Sequence, residues 1–412
     1  MSKSFLVIVL VCFTFSIQSF SQNTKKDLKI FLDCNRCDIT YIKQNLNNVE
    51  FVRDQNFADV HLFFTTQRTG SGGTSYNIDF IGKNEFEGVQ DKLNFSTDTN
   101  MSRDDIRNRT LKFIKLGLVR YWVKKGTSDN ITISVSAPKE ASNDTEKKDP
   151  WNYWVFQLGA NGFFNGQESS KFSSYRFNVS AKRVTNKNKF SFRANFNENK
   201  RTFSFDGDDI ISINNSKSLS VSDVISITNH WSVGAFARLG SSTFSNRDFY
   251  WSFKPAIEYN FFDYSESAKK QLVLSYRIGT KYNNYIERTV FGQNKEQLWE
   301  HTLSLGGSIN QKWGNIFAEA SFDQYLHDTT LNELSFYIGT SVRLFKGFSF
   351  NVNGSYEITR NQISLPSGNV SLEELLLQQK QLQSGYNYFV SVGFTYSFGS
   401  IYNTIVNPRF NF

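Results

Sequence analysis

Apolar and polar residues alternate along many segments between Trp151 and the C-terminus, and this pattern constrains the fold more than any other. The segment Tyr386–Phe398 shows it most clearly, because every second residue from Tyr388 to Phe398 is aromatic or Val. The residues between them are small or polar, with Phe389 as the exception. Successive side chains of a β-strand point to opposite faces, so this segment has one apolar and one polar face. Apolar-outward, polar-inward strands with aromatic ends are typical of transmembrane β-barrels.

Twelve segments carry this pattern, and single-chain bacterial barrels have an even number of strands. They are Trp151–Phe164, Ser174–Val184, Phe190–Phe203, Ser216–Thr228, Trp231–Phe244, Phe249–Phe262, Gln271–Tyr285, Gln297–Lys312, Asn315–His327, Leu334–Phe345, Phe348–Thr359 and Tyr386–Phe398. Short connections alternate with longer ones, which are predicted at residues 165–173, 204–215, 245–248, 286–296, 328–333 and 360–385. This asymmetry puts both chain ends on the short-turn side, which is periplasmic in such barrels. Within the last long connection, Ser371–Leu382 has helical spacing and is expected to cap the mouth or fold inward.

The composition favours a barrel over the alternative of a soluble β-sandwich. The chain is 16% aromatic with 41 Phe, and a sandwich does not need aromatics at both ends of nearly every outward face. The mean hydropathy of −0.42 argues against helical membrane spans but not against a barrel, whose lumen face is polar. Lys and Arg total 46 against 38 acids and are spread along the strands, so no nucleic-acid-binding patch is expected.

The N-terminus reads as a secretory signal covering residues 1–21. Lys3 precedes an apolar run from Phe5 to Phe15, and Ser19-Phe20-Ser21 is a cleavage pattern. An amino-terminal anchor helix is the alternative, but the run falls short of the ~20 residues that a span needs.

Residues 22–125 predict a small periplasmic α+β domain, followed by a polar linker at residues 126–150. Strands are expected at residues 28–32, 49–52, 59–66 and 76–81, with a Gly-rich hairpin turn at residues 69–74. Helices are expected at residues 38–46 and from the N-cap Ser102 to Lys125. The Gly-rich turn lacks the Gly-Lys-Ser/Thr ending of a phosphate-binding loop.

Cys34 and Cys37 remain after cleavage, and two closely spaced Cys in an exported protein are expected to pair as a structural disulfide. Two alternatives stay open at this point. Cys34, Cys37 and His61 could ligate a metal, or the pair could be a redox centre at a helix N-terminus, which the flanking Asp33 and Asp38 disfavour.

Strict alternation sorts the charged residues of the strands and predicts a net basic lumen. The inward basic residues are Arg176, Lys182, Arg193, Arg238, Lys254, Arg277, Lys281 and Arg343, and the inward acids are Glu258, Glu319, Asp323 and Glu357. If a continuous pore exists, Arg and Lys at these positions favour anions. The alternative is a closed interior filled by its own side chains. One conflict appears at Asp223, which falls on the outward face between Val221 and Ile225 and predicts a bulge or a strand boundary shifted by one residue.

No catalytic site is expected. His301 and His327 lie near the ends of neighbouring strands, which is where an outer-membrane lipid hydrolase could place a catalytic site. The alternation of side chains between the two faces of a strand, which we call parity, puts His301 on the lipid face and His327 on the lumen face. Ser304 has the opposite parity to His301, so it cannot serve it as a nucleophile. We expect no cofactor and no metal.

Tyr386–Phe398 is expected to close the barrel by pairing with Trp151–Phe164, which removes the sheet's edges. Either Ile401–Val406 is a periplasmic tail after closure, or Phe398 is the end signal read by the outer-membrane assembly machinery. The second alternative is favoured, and deletion of everything past Gly399 should then leave assembly intact.

Several segments resemble a family of Bacteroidetes outer-membrane barrels related to the DUF481 group: Phe261–Ser267, Tyr325–Asp328, Arg343–Gly347 and Tyr396–Phe410. The resemblance implies location in the outer membrane, with the lipid bilayer as a partner, and implies no activity. The residues themselves leave two functions open. One is porin-like passage of small solutes, and the other is a scaffold whose periplasmic domain binds a protein or the cell wall. Bilayer conductance, or a pull-down with the isolated domain, would discriminate them.

Overall fold

A computed structural model describes residues 27–126, 131, 132, 134, 149–205, 208–345, 347–368 and 381–399. These residues form two separate sheets, one of five strands and one of twelve. The predicted signal peptide, most of the linker, most of the predicted helical segment Ser371–Leu382 and the tail after Gly399 lie outside the described residues. Among the residues described, neither helix combines the length and the apolar character that crossing a bilayer requires.

The amino-terminal domain is an α+β unit, as predicted. Its elements are β1 (Leu28–Asp33), α1 (Ile39–Asn45), β2 (Val49–Phe51), β3 (Val60–Arg68), β4 (Thr74–Gly82), β5 (Gln90–Thr97) and α2 (Arg103–Lys124), and the strand order is β2-β1-β3-β4-β5. The alternating apolar residues of the strands face the helices and are fully buried at Ile30, Leu62 and Ile78. Strand β5 was not predicted, because as a mostly exposed edge strand it carries few apolar residues.

Helix α2 begins at the predicted N-cap and holds the domain together. The Ser102 side chain and the Asp105 side chain form a reciprocal capping box, which satisfies two backbone N–H groups. At the other end, the buried Tyr121 hydroxyl donates toward two strand-edge carbonyls, at 3.1 Å from Phe80 O and 3.0 Å from Val89 O. The helix is thereby fixed across the sheet.

The second sheet contains the twelve predicted antiparallel strands, which pair in sequence order. They are β6 (Trp154–Gln167), β7 (Ser170–Val184), β8 (Asn188–Phe205), β9 (Asp208–Ser226), β10 (Trp231–Ser242), β11 (Arg247–Asn260), β12 (Lys270–Tyr285), β13 (Lys295–Gln311), β14 (Gly314–Tyr325), β15 (Asn332–Phe345), β16 (Phe348–Thr359) and β17 (Tyr386–Tyr396). We call the end with the connections β7–β8, β9–β10, β11–β12, β13–β14 and β15–β16 the proximal end, and the opposite end the distal end.

The sheet curls around an interior that we call the lumen. Lys254 of β11 reaches across β12 to Glu300 of β13, with 2.7 Å between Nζ and Oε1, which requires both side chains to point to the concave face. Large apolar side chains of the opposite parity, such as Leu303 and Phe336, are exposed on the convex face. The alternation in the sequence is therefore realised as an apolar outer face and a polar inner face.

The predicted asymmetry of the connections is only partly correct. Strands β7 to β9 are longer than predicted and β6 ends three residues later, so only residues 168–169 join β6 to β7 and only residues 206–207 join β8 to β9. The predicted long connections 165–173 and 204–215 are therefore wrong. Residues 286–294, 326–331 and 360–385 do form longer distal connections, while the proximal connection at residues 261–269 is longer than four of the distal ones. The polar residues that had suggested loops belong to strands of 15 to 19 residues in β7 to β9.

The predicted pairing of the last strand with the first is not observed. In the part of the chain that the structure describes, β6 and β17 are the two ends of the strand order, and every residue of β17 is exposed. We call the gap between these two strands the seam. Parity determines which face a residue occupies, but closure also depends on the tilt and stagger of all twelve strands, which parity does not specify.

Asp223 lies on the outward face without a bulge. The pairing of β9 with β10 is continuous from Ser216 to Ser226, so the predicted register shift is wrong. Asp223 lies near the proximal end of β9, where Asn188 Nδ2 donates to its Oδ1 at 2.5 Å. A carboxylate close to the end of a strand avoids most of the cost that it would have at the middle of a bilayer.

Candidate functional site: a basic chamber beneath the amino-terminal domain

The amino-terminal domain sits on the proximal end of the barrel through polar contacts. Both oxygens of Asp33 accept from the Arg343 guanidinium of β15, at 2.6 and 2.8 Å. Lys269 Nζ lies 2.6 Å from Asp79 Oδ2, and Gln67 Nε2 donates to Ser267 Oγ at 2.9 Å. The predicted lumen residue Arg343 therefore binds the domain at the lumen's entrance.

Asp33 links the barrel to the buried interior of the domain. His61 is fully buried, and its Nε2 lies 3.3 Å from Asp33 Oδ2. Burial disfavours the charged form of Asp33, but the hydrogen bonds and charges of His61 and Arg343 outweigh it and lower the pKa of this carboxyl. Burial lowers the pKa of His61, and this effect exceeds the opposing attraction of Asp33.

The cysteines beside this pair form the predicted disulfide between Cys34 and Cys37. Within the described residues, no group of three or more His, Cys, Asp or Glu side chains could hold a metal ion, and His61 is engaged with Asp33 instead. The disulfide fixes the β1–α1 connection that presents Asp33 to the barrel.

The tip of the β3–β4 hairpin reaches the lumen. A methyl group added at Gly70 would lie 2.5 Å from Val184 Cβ at the proximal end of β7, so the backbone there is in direct contact with the barrel wall. A methyl group at Gly72 would lie 3.3 Å from Gln157 Nε2 of β6. The Gly-rich turn thus allows the hairpin to approach the barrel closely.

Beneath this hairpin lies a cavity of about 870 Å³, which we call the basic chamber. Its walls come from strands β7 to β13 and from the hairpin tip. The charged residues that line it are Arg68, Lys182, Lys189, Arg193, Arg238, Arg247, Lys254, Arg277, Lys281 and Glu300. Six of the eight basic residues predicted for the lumen are in this list, so the structure brings them together in one place.

The strand register explains why the cations cluster. Arg193 is opposite Ser220, Ser220 is opposite Arg238, Arg238 is opposite Ser252, and Ser252 is opposite Lys281. Cations in this row are two strands apart, or about 10 Å at the backbone. Alternation with Ser spaces the charges and leaves room for each side chain.

Two aromatic rings hold arginines in the basic chamber. Tyr250 has the guanidinium of Arg247 4.6 Å from its ring centre and that of Arg238 5.8 Å away. The guanidinium of Arg277 lies 4.5 Å from the ring centre of Phe236. Such contacts orient a cation without neutralising its charge.

The one carboxylate in this lining, Glu300, is shared by two lysines. Its oxygens lie 2.7 Å from Lys254 Nζ and 3.7 Å from Lys281 Nζ. Glu300 is not among the predicted lumen acids, although parity marks it as inward because His301 and Trp299 face outward. Arg247 is not among the predicted lumen residues either, because it falls in the predicted connection 245–248.

The predicted acids lie elsewhere and do not neutralise the basic chamber. Glu258 accepts from the Tyr264 hydroxyl at 2.8 Å near the proximal end, and Glu357 accepts from Thr359 Oγ1 at 2.8 Å. Asp323 accepts from Thr302, and Glu319 is opposite Gly306. Apart from Glu258, these acids are on β14 and β16, so the lumen has a basic wall and an acidic wall rather than an evenly basic ring.

The remaining predicted cation, Arg176, lies outside the basic chamber. It lines a second cavity of about 460 Å³ together with Arg201, and its Nε donates to Asn197 Oδ1 at 3.3 Å. This position makes Arg176 a natural reference for the residues of the basic chamber.

The distal end is covered by the described part of the last long connection. Ile363 packs inward against Leu298 and Tyr325 of the lumen face. Ser364 O accepts from Asn246 Nδ2 at 3.0 Å, so the connection crosses from β16 to the β10–β11 turn. The segment Ser371–Leu382, which is predicted to cap the mouth or fold inward, lies almost entirely outside the described residues.

The structure places His301 and Ser304 on opposite faces of β13. His301 is on the outer face, where it contacts the rings of Tyr276 and Phe322 and lies 3.1 Å from Gln324 Oε1. Ser304 instead faces the lumen and lies 3.0 Å from Ser321 Oγ.

Comparison with known proteins gives weak similarities to outer-membrane barrels. No protein-family model matches the chain, and no curated protein matches it at a significant level. A structure of the NanC porin is 9% identical with a TM-score of 0.28, covering 59% of this chain and 100% of that one. The translocator domain of the autotransporter NalP from Neisseria meningitidis is 13% identical with a TM-score of 0.23, covering 59% and 86%. CdiB from Acinetobacter baumannii is 9% identical with a TM-score of 0.27, covering 73% and 56%.

Replacing Arg343 by Gln is expected to loosen the docking of the amino-terminal domain, because Asp33 loses its bidentate partner. After a discount for the partial exposure of Arg343, we expect a loss of about 1–2 kcal/mol. The measurement is the rate of disulfide formation between Cys residues placed at Gln67 and Ser267, which should fall in the Arg343→Gln background. Arg360→Gln, in the distal connection, is the control, and an unchanged rate in the Arg343 variant would contradict this role.

The stability of the amino-terminal domain should fall as the pH drops below about 6.5, the unfolded pKa of His. Since the folded pKa of His61 is lowered, the unfolded state takes up a proton first. The contribution of neutral His61 to the free energy of unfolding is complete above that pH. Below it, this contribution declines by up to about 1.4 kcal/mol per pH unit. The lowered pKa of Asp33 acts only below about pH 4. Thermal unfolding at pH 7.5 and 5.5 measures this loss, which His61→Gln should abolish. A loss of the same size in that variant would refute the assignment.

Proposed function

We propose that the chain is an outer-membrane β-barrel that passes small anionic solutes, with its amino-terminal domain in the periplasm as a gate. The observation that carries this proposal is the basic chamber, in which nine cations and one carboxylate line a single cavity. Rings of Arg and Lys favour anions in pores. The resemblance to Bacteroidetes barrels related to the DUF481 group is part of the same proposal.

The apolar outer face supports a place in a bilayer. Leu303, Leu305 and Ile309 of β13 are each more than a third exposed on that face, and Phe336 and Ile338 of β15 continue it. A soluble protein seldom exposes so large a continuous apolar surface. In lipid this surface would be covered, while the polar lumen would stay inside the barrel.

The contacts at the proximal end support the role of the domain as a gate. The domain is held there by two ion pairs, Asp33–Arg343 and Asp79–Lys269, and its hairpin tip lines the basic chamber. Ion pairs that are partly exposed are individually weak, so a domain held in this way can leave and return. Solutes would enter or leave the proximal end when the hairpin moves away.

Anion selectivity is tested by single-channel reversal potentials in a salt gradient across a planar bilayer. The wild-type protein is expected to select anions, and Arg193→Glu with Arg238→Glu should shift the reversal potential toward that of cations, since it reverses two charges in the basic chamber. Lys171→Glu, which reverses an exposed charge near the distal β6–β7 turn, should leave the potential nearly unchanged. Cation selectivity of the wild type would overturn the proposal.

Gating is tested by locking the domain in place. Cys residues at positions 67 and 267, whose present side chains are hydrogen-bonded, should form a disulfide that lowers conductance, and a reductant should restore it. The single variant Gln67→Cys should not respond to the reductant. Equal conductance of locked and reduced protein would argue against a gate and favour the scaffold alternative, in which the domain binds a periplasmic protein or the cell wall.

A further inference from the structure

The sheet of the amino-terminal domain has two different faces, and one of them is turned to the barrel. Leu62 of β3 belongs to the core under the helices, whereas His61 and Phe63 point to the opposite face, because side chains alternate along a strand. Asp33 of β1 and Asp79 of β4 are directly opposite Phe63, so they share its face. Both aspartates bind side chains of the barrel. We call this second face the docking face.

The barrel supplies the cover that buries His61. Both helices of the domain pack on the other face of the sheet, yet His61 is fully buried. Its ring lies 5.0 Å from that of Phe31, and the guanidinium of Arg343 lies 5.8 Å from the Phe31 ring on the docking face. Burial is the largest of the causes that lower the pKa of His61. A domain that leaves the barrel would expose His61 to water and lose part of this effect.

The charges around His61 also differ between the docked and the free domain. Within the domain, Asp33 favours protonation of His61, and Lys83 after β4 opposes it. The barrel adds Lys312 of the β13–β14 connection, which opposes protonation as well. Arg343 acts through Asp33, because its Nη1 lies 2.6 Å from the carboxylate oxygen that is 3.3 Å from His61 Nε2. In the free domain this oxygen would serve His61 alone.

The second ring nitrogen of His61 has no partner in the docked state. Nε2 faces Asp33, whereas Nδ1 is buried and has no hydrogen-bond partner. A neutral ring with its proton on Nε2 leaves Nδ1 as a bare acceptor, but a protonated ring carries an N–H at both nitrogens. A buried N–H without an acceptor is costly, and water would supply the acceptor once the docking face is exposed. This observation is independent of the charges and acts in the same direction.

We infer that His61 is a pH sensor at this junction, whose protonation releases the amino-terminal domain from the barrel. Since docking opposes the protonation of His61, protonation opposes docking by the same factor. The free domain takes up the proton first as the pH falls below about 6.5, the ordinary pKa of an exposed His. Docking is therefore strongest above that pH and weakens below it. The inference rests on the proposed function, since release of the domain would open the gate.

The test measures docking in the full-length protein in detergent, by pulsed electron paramagnetic resonance between two spin labels. The labels are attached to Lys92→Cys and Asn186→Cys, both at exposed positions, in a Cys12→Ser background that leaves no other free thiol. Lys269→Gln is present throughout, because loss of its ion pair with the domain brings docked and free populations into a measurable range. We expect the ratio of docked to free domain to fall between pH 7.5 and 5.5, by at most about tenfold per pH unit.

Three variants identify the group that responds. His61→Gln should make the ratio independent of pH in this range. His230→Gln is the matched control, because His230 lies in the proximal β9–β10 connection, 3.4 Å from Asp263 Oδ1, and should leave the full response. Lys312→Gln leaves the domain unchanged and should reduce the response, since the barrel then opposes protonation less. This last variant keeps the inference testable where His61→Gln does not fold.

Three results would overturn the sensor: a constant ratio between pH 7.5 and 5.5, an undiminished response in His61→Gln or in Lys312→Gln, or a response lost equally in His230→Gln. Circular dichroism at both pH values follows the two described helices, which belong to this domain. Loss of the helical signal together with docking would assign the release to unfolding and overturn the sensor as well.

Failure here is distinguishable from failure of the proposed function. Anion-selective conductance with a domain that stays docked at pH 5.5 would refute the sensor and leave passage intact. Release of the domain by acid through His61, in a protein that conducts no ions, would support the sensor and refute passage.

Discussion

The twelve-stranded sheet depends on one constraint, that its two faces meet different surroundings. Most large apolar side chains of the strands face outward, and most charged ones face the lumen. A shift of a single residue would exchange the two faces along a whole strand. The pairing of β9 with β10 is continuous, and no bulge turns Asp223 toward the lumen. The register of the strand is therefore kept even where it leaves a carboxylate on the outward face. The positions of the lumen charges follow from the same constraint.

The charged residues are divided unequally around the lumen, so that one wall of the interior is basic and the other is acidic. Cations of β7 to β12 occupy one wall, and Glu319, Asp323 and Glu357 lie on the other. The two walls are joined at Glu300, which draws two lysines across β12. An anion inside the barrel would therefore follow the basic wall from the hairpin tip toward the Tyr250 ring, rather than the barrel axis.

Sequence patterns predicted most of the fold because they depend on local rules. Parity identified six of the chamber's cations, and the capping residues identified helix α2 at its first turn. Connections were less predictable, since the polar residues of long strands such as β8 look like loop residues until their partners are known. Arg343 shows the other limit. Parity placed it in the lumen, but its pairing with Asp33 joins residues 310 positions apart, and no local pattern encodes that contact.

The seam bears on how the chain would sit in a membrane. Backbone groups at an open sheet edge find no hydrogen-bond partners in lipid, and each unsatisfied group costs several kcal/mol. Since β6 and β17 both carry such edges, a bilayer would favour pairing them with each other over exposing either one. Closure would place β17 and β16, with Glu357, next to the strands that begin the basic wall. The seam would then be a second junction between the two walls, opposite the one at Glu300, and the basic chamber would be enclosed on every side by the barrel wall.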